Sequence, residues 1–249
     1  MSSAQTLNCP VCGGACALHA EVDIGRSMTG RDDAAGDVSV AYWLCGDCGF
    51  CFAPEMARWS RDQMLARVYN ESYARHDPDS VELRPGENAK LLERLFGRHK
   101  GAIRHLDYGG GAGELSRRLR EAGWDSTSYD PFFDAGRELR ELGKFSLVTA
   151  FEVVAHLPNV NRLMEEIYGV LAPDGLVLFS TVVSDGHIAR GMPLDWWYAA
   201  PRNGHISLHS RLSLTMMGAK RGFRYAALSE VLHVYCRTVP PWAAAFVKE

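Results

Sequence analysis

The sequence predicts an α/β protein: a doubly wound, mostly parallel sheet that ends in an antiparallel hairpin and is preceded by a small cysteine-rich module. Three observations carry the prediction. Six of the seven cysteines lie in the first 51 residues, strand-like and helix-like segments alternate from about residue 101, and the glycine-rich stretch "YGGGAGE" follows the first of those strands. A chain of 249 residues is long enough for one large domain or for an ordinary domain with a small one. Hydrophobic content of 47% with 23% charged residues is that of a soluble globular protein. The longest apolar run, near "GLVLFSTVV", is too short to span a bilayer, so no membrane segment is expected. The N-terminal "MSSAQTLNCPVC" lacks the basic and apolar regions of a secretory signal, which makes a cytoplasmic location the expectation. A net charge of −3 argues against a protein built to grip nucleic acid.

The cysteine module comes first, over residues 1–57. "CPVCGG" and "CGDCGF" are two Cys-x-x-Cys-Gly turns, in which Cys9, Cys12, Cys45 and Cys48 converge and the following glycine permits the tight backbone turn. Four thiolates close a tetrahedral site and leave no position for water, so the expected metal is a structural Zn2+. Cys16 and Cys51 sit just outside the turns and read as small core residues. Between the turns "ALHAEVDIG" and "DVSVAYWLC" alternate like the strands of a ribbon, joined by the Gly/Asp-rich "GRSMTGRDDAAGD".

Residues 58–100 read as a helical linker or lid. Ser60 and Gln63 form a capping box ahead of "RDQMLARVYNESYA", whose Tyr69 and Tyr73 share one helical face. Pro85 marks a first helical position before "ENAKLLERLFGR". From 101 to 249 the order is "AIRHLDYG", "GELSRRLREAG", "WDSTSYD", "DAGRELRELG", "FSLVTAFEV", "NRLMEEIYGVL" and "GLVLFSTVV", with "GFRYAALS" and "VLHVYCRTV" as a closing hairpin. Only about fifteen residues separate Asp130 from Phe145, too few for a full third helix-strand unit. Such sheets bind ligands at the carboxyl ends of their strands.

The glycine turn does not fit a dinucleotide. Counted from Gly109, the third glycine position of Gly-x-Gly-x-x-Gly holds Glu114; counted from Gly111, it holds Ser116. Asp107 and Glu114 flank the turn, and each carboxylate repels a pyrophosphate while suiting a ligand with a cationic amino-acid end and a sulfonium. Asp130 ends the second strand, where doubly wound folds hold ribose hydroxyls.

At these residues the chain resembles the class I S-adenosylmethionine-dependent methyltransferases, which have a Rossmann-like fold. The resemblance spans roughly residues 101–238 and rests on "LDYGGGAG", "YDPF", "FSLVTAFEVVAHLPNV" and "LAPDGLVLFST". It implies that Asp107, Gly109, Gly111 and Gly113 hold the methionine portion of S-adenosylmethionine, that Asp130 holds the ribose, and that Phe151 contacts the cofactor. The cysteine block looks like the zinc-ribbon modules that precede some members, certain sugar methyltransferases included. Where related sequences read Glu-His after the fourth strand, this one reads Ala155-His156.

Substrate recognition points to "LDWWYAAPRNGHISLHSRLSL", which interleaves Trp196, Trp197 and Tyr198 with Arg202, Asn203, His205 and His209. A plain covering role for the tryptophans, with Ser210 capping the next helix, is the alternative. For a hydroxyl acceptor His205 is the first choice of base and His156 the second. The functional expectation is methyl transfer to a small-molecule or sugar-like acceptor, with the oligomeric state open. The alternatives are an RNA or protein methyltransferase that uses the ribbon to hold a macromolecule, and a non-catalytic cofactor-binding scaffold.

Overall fold

The computed structural model describes residues 6–33, 38–134, 136–157 and 159–247. In chain order its strands are β1 (Leu7–Asn8), β2 (Ala15–Asp23), β3 (Ser39–Cys45), β4 (Cys51–Phe52), β5 (Arg104–Tyr108), β6 (Asp125–Tyr129), β7 (Phe145–Phe151), β8 (Leu171–Ser180), β9 (Ser207–Leu208), β10 (Arg224–Ala227) and β11 (Leu232–Cys236). The helices are α1 (Arg61–Arg67), α2 (Tyr73–His76), α3 (Leu83–Phe96), α4 (Glu114–Glu121), α5 (Val160–Val170) and α6 (Arg211–Ala219). Two compact units form. One comprises Met1–Pro78, Ala155–Asn161 and Val182–Met217; the other comprises Asp79–Val154, Arg162–Thr181 and Gly218–Glu249. These discontinuous units cut the chain elsewhere than the sequence boundaries at 57 and 100, because β9 leaves the C-terminal half to pair with β4.

The first unit is built on a five-stranded sheet in the order β1-β2-β3-β4-β9. β2 and β3 form the expected ribbon, antiparallel from Cys16↔Cys45 to Asp23↔Ser39 with a register shift between Leu18 and Ala20. In its connection the Asp23 carboxylate accepts from Gly25 N at 2.7 Å and that of Asp32 from Ser27 N at 2.7 Å, so acidic side chains cap the turning backbone. Residues 34–37 of that connection lie outside the described residues.

The capping box forms: Gln63 N donates to Ser60 Oγ at 3.2 Å and Ser60 N to Gln63 Oε1 at 2.8 Å. The helix it starts is shorter than expected. α1 ends at Arg67, leaving Tyr69 in the following connection, while Tyr73 opens α2. Asn70 accounts for the break: its amide donates to Ala66 O at 3.0 Å and its Oδ1 accepts from Ser72 N at 3.1 Å, offering the backbone an alternative to the helical ladder. The tyrosines meet nonetheless, edge to face with centroids 5.2 Å apart.

The second unit holds a six-stranded sheet in the order β10-β11-β8-β7-β5-β6. β6, β5, β7 and β8 run parallel, and β11 and β10 close the sheet as an antiparallel hairpin, as expected of the doubly wound fold. α4 carries Leu115 and Leu119 four residues apart, and both pack into a core with Leu92 and Phe96 of α3 and Leu147 and Leu176 of the sheet. α3 begins at Leu83, so Pro85 is its third residue rather than its first; the missing N–H is harmless there because no first-turn N–H has a helical partner.

The segment read as a helix over "DAGRELRELG" is a single 3-10 turn, Leu139–Leu142, among its described residues, and Ala135 lies outside them. Too little chain separates β6 from β7 for more, so β6 is an edge strand. Its edge is guarded by side chains: Arg120 Nη1 donates to Ser126 O at 3.1 Å and Arg137 Nη1 to Ser128 O at 3.5 Å.

Candidate functional site

In the second unit β5 delivers Asp107 to the start of the glycine turn. Gly109, Gly111 and Gly113 have φ of 74°, 55° and 82°. At Gly109 a Cβ would also stand 2.5 Å from Val153 Cγ2, so both conformation and space demand glycine. At Gly110 a Cβ would lie 2.3 Å from Asp107 Oδ2 and 2.4 Å from Ser128 Oγ. The bare α-carbon keeps open a cradle between a carboxylate and a hydroxyl, and that Ser128 Oγ is buried with no protein partner. An amino-acid end with its own donors and acceptors fits such a cradle; a pyrophosphate would meet Asp107.

Asp107 is 3% exposed. Burial pushes its carboxyl up to about 7, opposed by the Thr149 hydroxyl, which donates to Oδ1 at 3.1 Å, and reinforced by the negative charge of Asp130. Asp130 joins its own turn to the glycine turn: Oδ2 accepts from Gly111 N at 2.9 Å and Oδ1 from Phe132 N at 2.7 Å. Glu114, read as a second repelling carboxylate, is neutralised instead. Arg117 and Arg118 both bond it and push it down to about 2. Phe151 ends β7, partly buried against the hydrophobic core.

Glu152 escaped the sequence reading. With φ of 52° it is the one non-glycine residue in the left-handed region among the described residues, held there by Ser180, whose Oγ accepts from Glu152 N at 2.8 Å and donates to Oε1 at 2.7 Å. Its position directly after the fourth strand of "AFEVVAH" was the available signal.

In the first unit His156 and His205 come together. Their rings lie edge to face at 4.8 Å, and His156 Nδ1 is 3.2 Å from Tyr69 Oη. Gly204 makes room: a Cβ there would be 3.1 Å from both His156 Nδ1 and Tyr69 Oη. His205 is 1% exposed, with Nδ1 2.8 Å from the Tyr198 carbonyl and its ring 4.1 Å from that of Tyr198. His156 is half-buried.

Three donors expected to face a substrate are consumed internally. Arg202 bonds Asp33, the Val68 carbonyl at 2.7 Å and Ser72 Oγ at 2.6 Å; Asn203 donates to His76 O at 3.0 Å; His209 packs on Phe50 and reaches Ser213 Oγ at 3.3 Å. They tie the 68–77 segment and the aromatic loop to the ribbon, a job visible only once distant segments meet. Trp196 is buried and stacked on His187, Trp197 is exposed, and Ser210 caps α6 by accepting from Ser213 N at 3.0 Å. The covering alternative describes these residues better than the recognition one.

The first unit also assembles the cysteines. The sulfurs of Cys9, Cys12, Cys45 and Cys48 all lie within 4.8 Å of one another, with Cys9–Cys48 at 3.6 Å and Cys12–Cys45 at 3.4 Å. Zinc–sulfur bonds of about 2.3 Å at tetrahedral angles put sulfurs roughly 3.8 Å apart, so the set fits that ion. A hydrogen bond from Cys48 pushes Cys9 down to about 5 and Cys48 correspondingly up. Cys16 and Cys51 are buried, and burial pushes both thiols up, in keeping with core positions.

The first parallel strand of the second unit ends in a carboxylate and a four-glycine turn and the next ends in a second acid, both at the carboxyl ends of the strands, where doubly wound folds bind their ligands. The chain belongs to the methyltransferase domain family, whose model matches residues 80–228. No curated protein matches it. Among solved structures, the pyocyanin biosynthetic protein PhzM aligns with a TM-score of 0.48 at 14% identity, covering 72% of this chain and 62% of PhzM. An O-methyltransferase family protein from Burkholderia thailandensis aligns with 0.49 at 15%, covering 74% and 67%. The 1,6-didemethyltoxoflavin-N1-methyltransferase of the same organism aligns with 0.49 at 16%, covering 76% and 95%. The chain thus spans less than two thirds of PhzM. No helix among the described residues is long and apolar enough to cross a membrane.

Proposed function

We propose that the chain transfers a methyl group to the hydroxyl of a small-molecule or sugar-like acceptor, with His156 as general base. The observation that carries the base assignment is the Tyr69–His156–His205 cluster. Pairing of His156 Nδ1 with Tyr69 Oη fixes the imidazole ring, and His156 is the more accessible of the two histidines. His205, the first choice from sequence, donates Nδ1–H to the Tyr198 carbonyl and supports the His156 ring edge-on, which makes it a positioning residue.

In this reading Asp107 takes the amino group of the cofactor, the backbone of Gly109, Gly111 and Gly113 lines its methionine portion, Asp130 takes the ribose, and Phe151 lies against it. S-adenosylmethionine supplies a methyl group made electrophilic by the sulfonium. The chain's own task is to hold an acceptor oxygen in line and remove its proton. The Gly110 cradle supports the assignment, since a methyl group there would fill the space beside Asp107. Cys9, Cys12, Cys45 and Cys48 hold a structural Zn2+ that ties the two ends of the ribbon.

A panel of hydroxylated acceptors, assayed with the native protein and with His156→Gln, tests the base. The expected result is a loss of turnover of about 10²-fold or more with unchanged cofactor affinity. Native turnover in His156→Gln together with its loss in His205→Gln would restore the sequence order of the two histidines.

A further inference from the structure

Asp107 is the end of a hydrogen-bond chain buried in the second unit. Ser116 Oγ of α4 lies 3.0 Å from Ser126 Oγ of β6, which lies 2.8 Å from His105 Nδ1 of β5. On the other side of the ring, His105 Nε2 lies 2.9 Å from Thr149 Oγ1 of β7, and Thr149 Oγ1 lies 3.1 Å from Asp107 Oδ1. All five residues are at least 96% buried. None of the four links reaches solvent, so each depends on its neighbours for a proton.

The chain has two self-consistent orientations. An ionised Asp107 only accepts, so the Thr149 hydroxyl donates to it. Thr149 then accepts from His105 Nε2–H, and Nδ1 accepts from the Ser126 hydroxyl, which turns away from Ser116. A protonated Asp107 donates to Thr149, Thr149 donates to Nε2, and the ring keeps its proton on Nδ1 for Ser126, which donates to Ser116. Burial pushes His105 down to about 3, so the ring is neutral and carries one proton in either orientation.

We propose that His105 and Thr149 are positioning residues that couple the ionisation of Asp107 to the tautomer of the His105 ring, so that a cation seated on Asp107 sets the ring to the Nε2–H form. The part about the cation rests on the reading that Asp107 holds the amino group of the cofactor. Taking up the cation at low pH releases one proton in all: the Asp107 carboxyl proton leaves to water, the Thr149 and Ser126 hydroxyls turn to face Asp107 and Nδ1, and the ring gives up its proton at Nδ1 and takes one at Nε2. Asp130 at the end of β6 opposes ionisation; Glu114 at the start of α4 is locked to Arg117 and Arg118; Glu152 after β7 is bonded by Ser180. Thr149 supplies the hydrogen bond that favours the ionised form.

The test is nuclear magnetic resonance of the native protein, with histidine 15N shifts and aspartate carboxyl 13C shifts followed from pH 5 to 9, repeated for Thr149→Val and Thr149→Ser. The expected result is a His105 change from Nδ1–H to Nε2–H in step with the Asp107 carboxyl. Thr149→Val abolishes that change and raises the Asp107 midpoint by about one pH unit, the worth of one hydrogen bond to a charged group, and Thr149→Ser restores both. A His105 tautomer that stays constant while Asp107 titrates overturns the proposal, and needs no variant to be seen. Addition of S-adenosylmethionine below the midpoint separates the two readings: binding that leaves the Asp107 and His105 signals unmoved would sink the cofactor role of Asp107 and leave the coupling standing.

Discussion

At the scale of single residues, the sign of the pH dependence of Asp107 follows from its burial. The folded carboxyl titrates near 7 rather than near the ordinary carboxylate value. Its protonated form therefore contributes stability that is fully present below about 4 and is lost as pH rises towards 7. Binding a cation runs the other way, since only the ionised form attracts an ammonium group. Cofactor affinity is expected to rise by about tenfold per pH unit up to the Asp107 midpoint and then to level off, and Asp107→Asn to be weak and flat; calorimetry at several pH values measures both. Glu152 offers a second check. Glycine accepts a φ of 52° without strain, so Glu152→Gly should unfold at an unchanged or higher temperature, by up to about 1 kcal/mol of stability. A clear drop in melting temperature would mean that the Ser180 bonds outweigh the strain. Asp107, Asp130 and the glycines were legible because a short motif states them. Thr149, Ser128 and the inward role of Arg202 were not, because their partners lie far along the chain and only the fold brings them together.

Among the elements, the ribbon and the sheet were read directly from period and punctuation. Alternation gave β2 and β3, and the hairpin β10-β11 followed from two apolar runs in succession. The errors arose where a local side chain competes with a helix. Asn70 ended α1 early, and the short span before Phe145 left a 3-10 turn where a helix was expected. The ribbon yields a metal prediction. One zinc ion per chain is expected by elemental analysis, lost in Cys45→Ser but retained in Cys16→Ala, because Cys16 lies outside the four-sulfur set. Metal-free native protein that melts at the same temperature with and without added zinc would show that the four sulfurs hold nothing.

At the scale of the whole molecule, a charge of −3 and the pairing of arginines with acids leave little to attract a polyanion. Binding of a single-stranded RNA of mixed sequence is expected to be weak at 50 mM salt and undetectable at 200 mM; tight binding with a steep salt dependence would favour a macromolecular acceptor. The central claim is narrower than the identity of the acceptor: the glycine turn with Asp107 is a working S-adenosylmethionine site. Calorimetric titration of the native protein and of Asp107→Ala with S-adenosylmethionine tests it most directly. The account predicts binding in the micromolar range that the substitution abolishes while the variant melts as a folded protein. Equal affinity in the two proteins, or no binding by the native protein at millimolar cofactor, would contradict it.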